Sequence, residues 1–297
     1  MKKTSLINVM LRCAGAVAVI FVALGMQPAA AGIADTKHNL GSSTNNDPNA
    51  VNKFNGTGEI CVFCHTPHGA DTTAAVPLWN RAVAAPSTYT TYNSLGTSSL
   101  DGATAPVGSV SLACLSCHDG TQAMNVMINQ PGSGGYNASG SALAGAWSGA
   151  NQSAGKLAAG IITNIGQDLR NDHPVGIQYG GGPKAGTVPA APADYTNALF
   201  KDADFKDAKS AVLNGQSAWW VDTATGSAGV REKTDMLLYT RTAASALNID
   251  GTVSATTLTG AQPFVECASC HDPHSTNATF LRIANTGSAV CLSCHIK

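Results

Sequence analysis

The chain has 297 residues, 44% hydrophobic but only 6% aromatic and 12% charged, with 17 Lys+Arg against 18 Asp+Glu and nine cysteines. So balanced a charge excludes a basic stripe for nucleic acid and a polybasic segment for anionic lipid. Gly, Ala, Ser and Thr dominate the rest, leaving little apolar side-chain mass for a core, so something besides side chains must supply it.

Residues 1–31 read as a secretory signal. Lys2 and Lys3 give a positive start, Ala14 to Leu24 an apolar run interrupted by Gly15, and Ala29-Ala30-Ala31 a small-residue cleavage site. That run is short of the roughly 20 residues a membrane span needs, and no transmembrane span is expected after Gly32. Export is expected, to the cell surface or beyond, with the periplasm as the alternative. Cleavage removes Lys2, Lys3, Arg12 and Cys13, leaving 14 basic residues against 18 acidic ones, a net charge of −4, and eight cysteines.

In chain order, His38 comes first, on an arm rich in Gly, Ser, Thr and Asn whose composition favours flexibility. Next is Cys61-Val-Phe-Cys64-His65, followed by Thr66-Pro67-His68, and then Pro77-Leu78-Trp79-Asn80-Arg81. Residues 87–111 read as short strands or coil and lead to Cys114-Leu-Ser-Cys117-His118. Stretches 131–160 and 180–193 read as loops, with His173 between them. Apolar positions at Tyr195, Leu199, Phe205, Val212, Leu213 and Trp219 predict one or two short helices over 194–221. Residues 221–227 again read as short strand or coil, and Lys233 to Leu247 as a further helix. Cys267-Ala-Ser-Cys270-His271, followed by Asp272-Pro273-His274, and Cys291-Leu-Ser-Cys294-His295 close the chain.

Cys-x-x-Cys-His is the spacing of covalent haem c attachment: two thiols add across the haem vinyl groups and the adjacent imidazole becomes the proximal iron ligand. Four such motifs use Cys61, Cys64, Cys114, Cys117, Cys267, Cys270, Cys291 and Cys294, and no cysteine of the mature chain is left over. Four covalent haems c are therefore expected. Their propionates make the holoprotein more negative, and the porphyrins supply the missing apolar core.

The chain also repeats itself. His38-Asn39-Leu40-Gly41 and His173-Pro174-Val175-Gly176 each precede a motif followed by x-Pro-His and then a Cys-Leu-Ser-Cys-His. Residues 32–297 are read as one tetrahaem domain with pseudo-repeats over 32–130 and 165–297. Four irons with two imidazoles each need eight histidines, and the chain has eight. His65, His118, His271 and His295 are proximal by motif, which leaves His38, His68, His173 and His274 as distal ligands. Met124, Met127 and Met236 are the alternative sixth ligands. His65 and His68 are at most about 11 Å apart along the chain, too short a tether for both to flank one iron. His68 is therefore assigned to the haem of His118, and His274 to that of His295. His38 and His173 then serve the haems of His65 and His271, although exchange between units or subunits satisfies the same count. Trp79 suits a haem edge or an ordinary buried position. Trp147, Trp219 and Trp220 suit packing or an interface. Arg81, Arg170 and Lys184 are candidate propionate partners.

His38-Asn39-Leu40, Cys61 through Gly69, Pro77 through Arg81 and Glu266 through His274 together resemble multihaem c-type cytochromes of metal-reducing bacteria. Four bis-His haems on a chain of this length resemble their extracellular tetrahaem members, which polymerise into conductive filaments. The likeness is concentrated at the motifs and weak across 119–266. It implies a fold organised around haems, mostly irregular with short helices and little β. It also implies a haem stack continuing across subunits, and a distal histidine drawn from the neighbouring one. His38 is the candidate for that exchange, with ligation inside its own subunit as the rival.

The expected function is extracellular electron transfer as a homopolymer, fed by periplasmic or outer-membrane cytochromes and delivering to an external acceptor. A discrete periplasmic shuttle is the alternative. A multihaem reductase is disfavoured, because six-coordinate iron leaves no open position for substrate.

Overall fold

A Cys-x-x-Cys-His sequence asks for one helical turn, because residues three apart on a turn face the same way. A computed structural model describes residues 32–41, 52–95, 104–132, 134–172, 174–181, 202, 204–213, 216–223, 226–241 and 262–296, and shows a turn at every motif. The first is a 3-10 turn, Cys61–Phe63. The others lie on α1 (Ser111–His118), α2 (Cys267–Cys270) and α3 (Ala289–Cys294). The amide of His65 donates to the carbonyl of Cys61 at 2.8 Å, and His271 and His295 repeat this with Cys267 and Cys291 at 3.1 and 3.0 Å. None of these helices approaches the roughly 12–15 residues at which a helix holds itself in water. Their stability comes from what packs on them.

The β content exceeds the expectation. Eleven short strands are present among the described residues, and five form one antiparallel sheet in the order β7-β11-β10-β9-β8. These are Ile177–Gln178, Gln262–Val265, Met236–Arg241, Gln216–Val221 and Lys209–Leu213. Three of them, β8, β9 and β10, replace predicted helices. In β10, Met236 and Leu238 are buried while Leu237 and Tyr239 are half-exposed, the period-two pattern of a strand. Val221 pairs with Met236 and Trp219 with Leu238 across the sheet. These four join Tyr179 and Ala208 in one core cluster, against which Cys270 and Cys294 pack. Aromatic and branched residues at 219–221 suit this pleated surface better than a helix.

The predicted loop at 131–160 contains three ladders. β2 (Val126–Asn129) pairs with β3 (Tyr136–Ala142), β5 (Gln152–Ser153) with β6 (Lys156–Leu157), and β1 (Lys53–Phe54) with the distant β4 (Trp147–Ser148). β3 is mostly exposed, so its small polar residues carry no hydrophobic alternation to read. A Pro131-Gly132 turn reverses the chain, with Gln130 donating to Gly135. Residues 87–111 show 3-10 turns at Pro86–Thr88 and Tyr92–Ser94 and are otherwise irregular where described.

Two further core clusters lie beside the first two motifs: one with Trp79, Tyr89, Leu112, Leu115, Leu169 and Val175, the other with Phe54, Val62, Phe63 and Met127. Residues Ile33–Lys297 fall in one compact unit. The expected signal segment 1–31, residues 182–201 and residues 242–247 lie outside the described residues.

Asn80 ties the first motif to β2. Its Nδ2 donates to the carbonyls of Val62 (2.7 Å) and Asn129 (2.9 Å), its Oδ1 accepts from the Asn129 amide at 2.8 Å, and it is fully buried. Asn80→Ala strands these partners without water, and the expected loss is about 2–4 kcal/mol at about 1 kcal/mol or more for each unmet bond. Denaturant unfolding of the holoprotein measures it.

Candidate functional site

Three proximal histidines are oriented by backbone carbonyls. Nδ1 of His65 lies 2.8 Å from the carbonyl of Pro77, that of His118 2.7 Å from Thr163, and that of His271 2.8 Å from Thr279. A carbonyl only accepts, so Nδ1 must carry the proton and Nε2 keeps its lone pair for a metal. A ring nitrogen of His38 likewise bonds the carbonyl of Pro273.

A clamp segment supplies two of these carbonyls, and it is repeated. Thr66 donates to Leu78 (2.9 Å) and Asn80 to Cys64 (2.9 Å), while Asp272 donates to Phe280 (2.8 Å) and Arg282 to Cys270 (2.9 Å). His65 bridges Trp79 as His271 bridges Leu281. Leu78 at φ 57° and Phe280 at φ 59° occupy the same left-handed conformation just after the carbonyl that holds the histidine. Non-glycine residues persist there only where their surroundings over-determine them. The pairing of 77–81 with 279–283 escaped sequence reasoning because only backbone geometry is shared. Gly69, at φ 66°, turns the chain after His68, and a Cβ there would lie 2.9 Å from the ring of Tyr136.

The histidines themselves meet in pairs. His65 and His274 have ring centroids 6.4 Å apart with planes 12° from parallel, and His38 and His118 are 6.2 Å apart at 71°. Two metal–imidazole bonds of about 2.0 Å, plus about 1.1 Å from each nitrogen to its ring centre, place trans imidazoles about 6.3 Å apart. Each pair thus leaves room for one iron. The expectation paired His274 with the fourth motif and His38 with the first, and the structure sets both rings elsewhere. His274 meets the first motif rather than the fourth, and His38 the second rather than the first, in its own chain. Burial, reinforced by the His118 imidazole, pushes His38 down to about 4, and burial also lowers His118. Both rings are therefore neutral near pH 7, as metal ligands must be. Phe280 stacks on His38 at 4.1 Å.

His68 is exposed, its carbonyl held by Thr66 and Asn129. The ring of His295 lies 4.3 Å from that of Phe205. His173 lies outside the described residues. Its neighbours lie beside the third motif: Gly176 donates to Val265 at 2.8 Å, and Val175 shares a cluster with Cys267.

The thiols run as a thread. Besides burial, Cys117 helps raise Cys64 and Cys291 helps raise Cys270, while Cys267 raises Cys114. Cys61 and Cys291 are exposed, and all eight described cysteines are unpaired. At the middle of the thread, Ser111 donates to Glu266 and accepts from the Cys267 amide at 3.0 Å, and Arg241 pairs with Glu266 at 2.7 Å. Burial pushes Glu266 up to about 7 against these hydrogen bonds, and pushes the Cys64 and Cys294 thiols up to about 12. No cluster of three or more His, Cys, Asp or Glu able to hold a bare metal ion occurs among the described residues.

Trp79 is buried with its ring edge-on to His65 at 6.2 Å, and its Nε1 has no acceptor among the described residues. A haem propionate beside His65 fits that donor. Arg81 does not fit the propionate role expected for it. It is fully buried, and its five donors go to Ser116 Oγ (3.2 Å) and to the carbonyls of Ser116, Ala123, Met124 and Val126 (2.8–3.0 Å). Burying a charge costs several kcal/mol, roughly, so five satisfied donors are what make it tolerable. Arg170 pairs with Asp168 at the surface, and Lys184 lies outside the described residues. Met127 and Met236 belong to core clusters and Met124 is buried. Trp219 is a core residue, Trp147 packs 4.9 Å from Phe54, and Trp220 donates to Asp222.

Residues 262–297 match the family of the doubled CXXCH motif, which covers the third and fourth motifs. No curated protein matches the chain. The doubled motif marks covalent haem c binding and electron transport, the chemistry of a multihaem c-type cytochrome.

If His274 serves the iron of His65, His274→Ala produces one high-spin ferric haem. Adding it to a Cys61→Ala, Cys64→Ala background, which lacks that haem, adds no further high-spin signal. Electron paramagnetic resonance of the two exported proteins reads this directly.

Proposed function

We propose that the chain is a tetrahaem c-type cytochrome, exported and assembled from like subunits, that conducts electrons through bis-histidine haems on Cys61/Cys64, Cys114/Cys117, Cys267/Cys270 and Cys291/Cys294. The observation that carries this reading is the pair of imidazole couples, His65 with His274 and His38 with His118, each at axial-ligand separation. A six-coordinate iron changes oxidation state but has no position for substrate, so the reading is a carrier and not an enzyme. Bound haem supplies a reversible one-electron couple. The protein holds it, orients its ligands and keeps it close to its neighbours.

Two assignments follow. The chain around His173 runs beside the third motif, which supports His173 as the partner of His271. His68 and His295 then remain, at opposite ends of a thread that runs from the first motif to the fourth. His68 is exposed. We assign it in trans, to the iron of His295 in the next subunit, so that one thread continues into another. His38, with its place beside His118, stays within its own subunit. Among the described residues no helix is long and apolar enough to cross a membrane. Upstream cytochromes and an external acceptor complete the electron path.

Intact mass of the exported protein is expected to show four haem additions, and three or fewer would remove a motif from the scheme. His68→Ala is expected to abolish filaments in negative-stain micrographs and leave one haem per subunit high-spin. Filaments persisting in that variant would defeat the joint, and a monomeric wild type with four low-spin haems would favour the discrete shuttle.

A further inference from the structure

We propose that Arg81 raises the reduction potential of the haems on the first two motifs, acting as a buried positive charge that no carboxylate cancels. This rests on the reading of those motifs as haem c sites.

A guanidinium has five N–H donors, and all five of Arg81's are spent on Ser116, Ala123, Met124 and Val126. It therefore has no donor left for a propionate, and only its field reaches a haem. That field is placed to act on two. Ser116 stands between Cys114 and Cys117 on α1, and Asn80, the neighbour of Arg81 in the chain, donates its amide to the carbonyl of Cys64, the second attachment point of the first motif, at 2.9 Å.

The other described guanidiniums differ. Arg241 pairs with Glu266 and Arg170 with Asp168, so each is offset by a carboxylate. Arg282, which occupies the place of Asn80 in the second clamp, is only partly buried, and Arg231 is exposed. No carboxylate lies within ion-pair distance of Arg81 among the described residues, and it is fully buried. Reducing a ferric haem adds one electron and so one negative charge. An unscreened cation beside it favours that step, and a dry surrounding strengthens the effect. Ser116 is in the last turn of α1, so Arg81 also fills helix-end carbonyls. That is a structural task, and it depends on hydrogen bonds rather than on charge.

Charge and hydrogen bonding separate in two variants of the exported holoprotein, read by spectroelectrochemistry with haem load checked by intact mass. Arg81→Gln removes the charge and is expected to lower two of the four midpoints by at least tenfold in the one-electron equilibrium constant, about 59 mV each. Arg81→Lys keeps the charge but loses most of the bonds, and is expected to leave all four within threefold of wild type. Unshifted midpoints in a fully loaded Gln variant, or equal shifts in both variants, would overturn the proposal. If the Gln variant fails to load, the wild type still decides. Two haems should be at least tenfold easier to reduce than the other two, and the gap should survive a rise to about 1 M salt, which screens surface charges but not a buried one. A gap that closes with salt, or no gap, overturns the proposal. Missing haem additions in the wild type would instead defeat the haem reading beneath it.

Discussion

Two imidazole couples, each at a separation that would admit one iron, are the constraint on which the rest of this molecule depends. His65 meets His274 and His38 meets His118, and in each case the partners come from distant parts of the sequence. Closing such long loops costs entropy that the short helices and small sheets return only in part. An iron held between each couple would tie these segments together. The Asp272-Pro273-His274 segment shows the economy of the arrangement. His274 faces the first motif's histidine while the carbonyl of Pro273 orients His38 for the second.

Irregular backbone suits this task because a carbonyl must be placed beside each imidazole. The clamps at 77–81 and 279–283 do so with a left-handed residue, Leu78 or Phe280, that neither a helix nor a strand would accommodate. Around the first clamp, Asn80 and Arg81 turn the inward-facing carbonyls of β2 and α1 into satisfied acceptors. Polar side chains thus do the work that regular ladders do elsewhere.

The five-stranded sheet gives the second pair of motifs a conventional support. Trp219, Met236 and Leu238 form a side-chain core against Cys270 and Cys294. Ser111, Glu266 and Arg241 knit this half to α1, where the thiols of Cys114 and Cys267 meet. Adjacent motifs in sequence are therefore adjacent in space.

Much of the chemistry was legible in the sequence. Cysteine spacing names the attachment reaction, since two thiols and an imidazole on one turn must face one porphyrin. The histidine count gives the coordination number. The short tether from His271 to His274 argues against both flanking one iron, and the structure sets His274 beside His65. Which iron His274 does reach was not legible, because the tether excludes one haem without choosing among the others. The sheet was missed for a related reason. β3 is exposed and carries no hydrophobic alternation, and Trp219, Met236 and Leu238 declare their shared face only once the strands are paired. Arg81 looked like a propionate partner because its residue type permits it. Only the packed chain shows five acceptors already around it. Local spacing determined what binds, and three-dimensional packing decided which histidines lie beside one another, because that choice depends on distances no single segment of the chain contains.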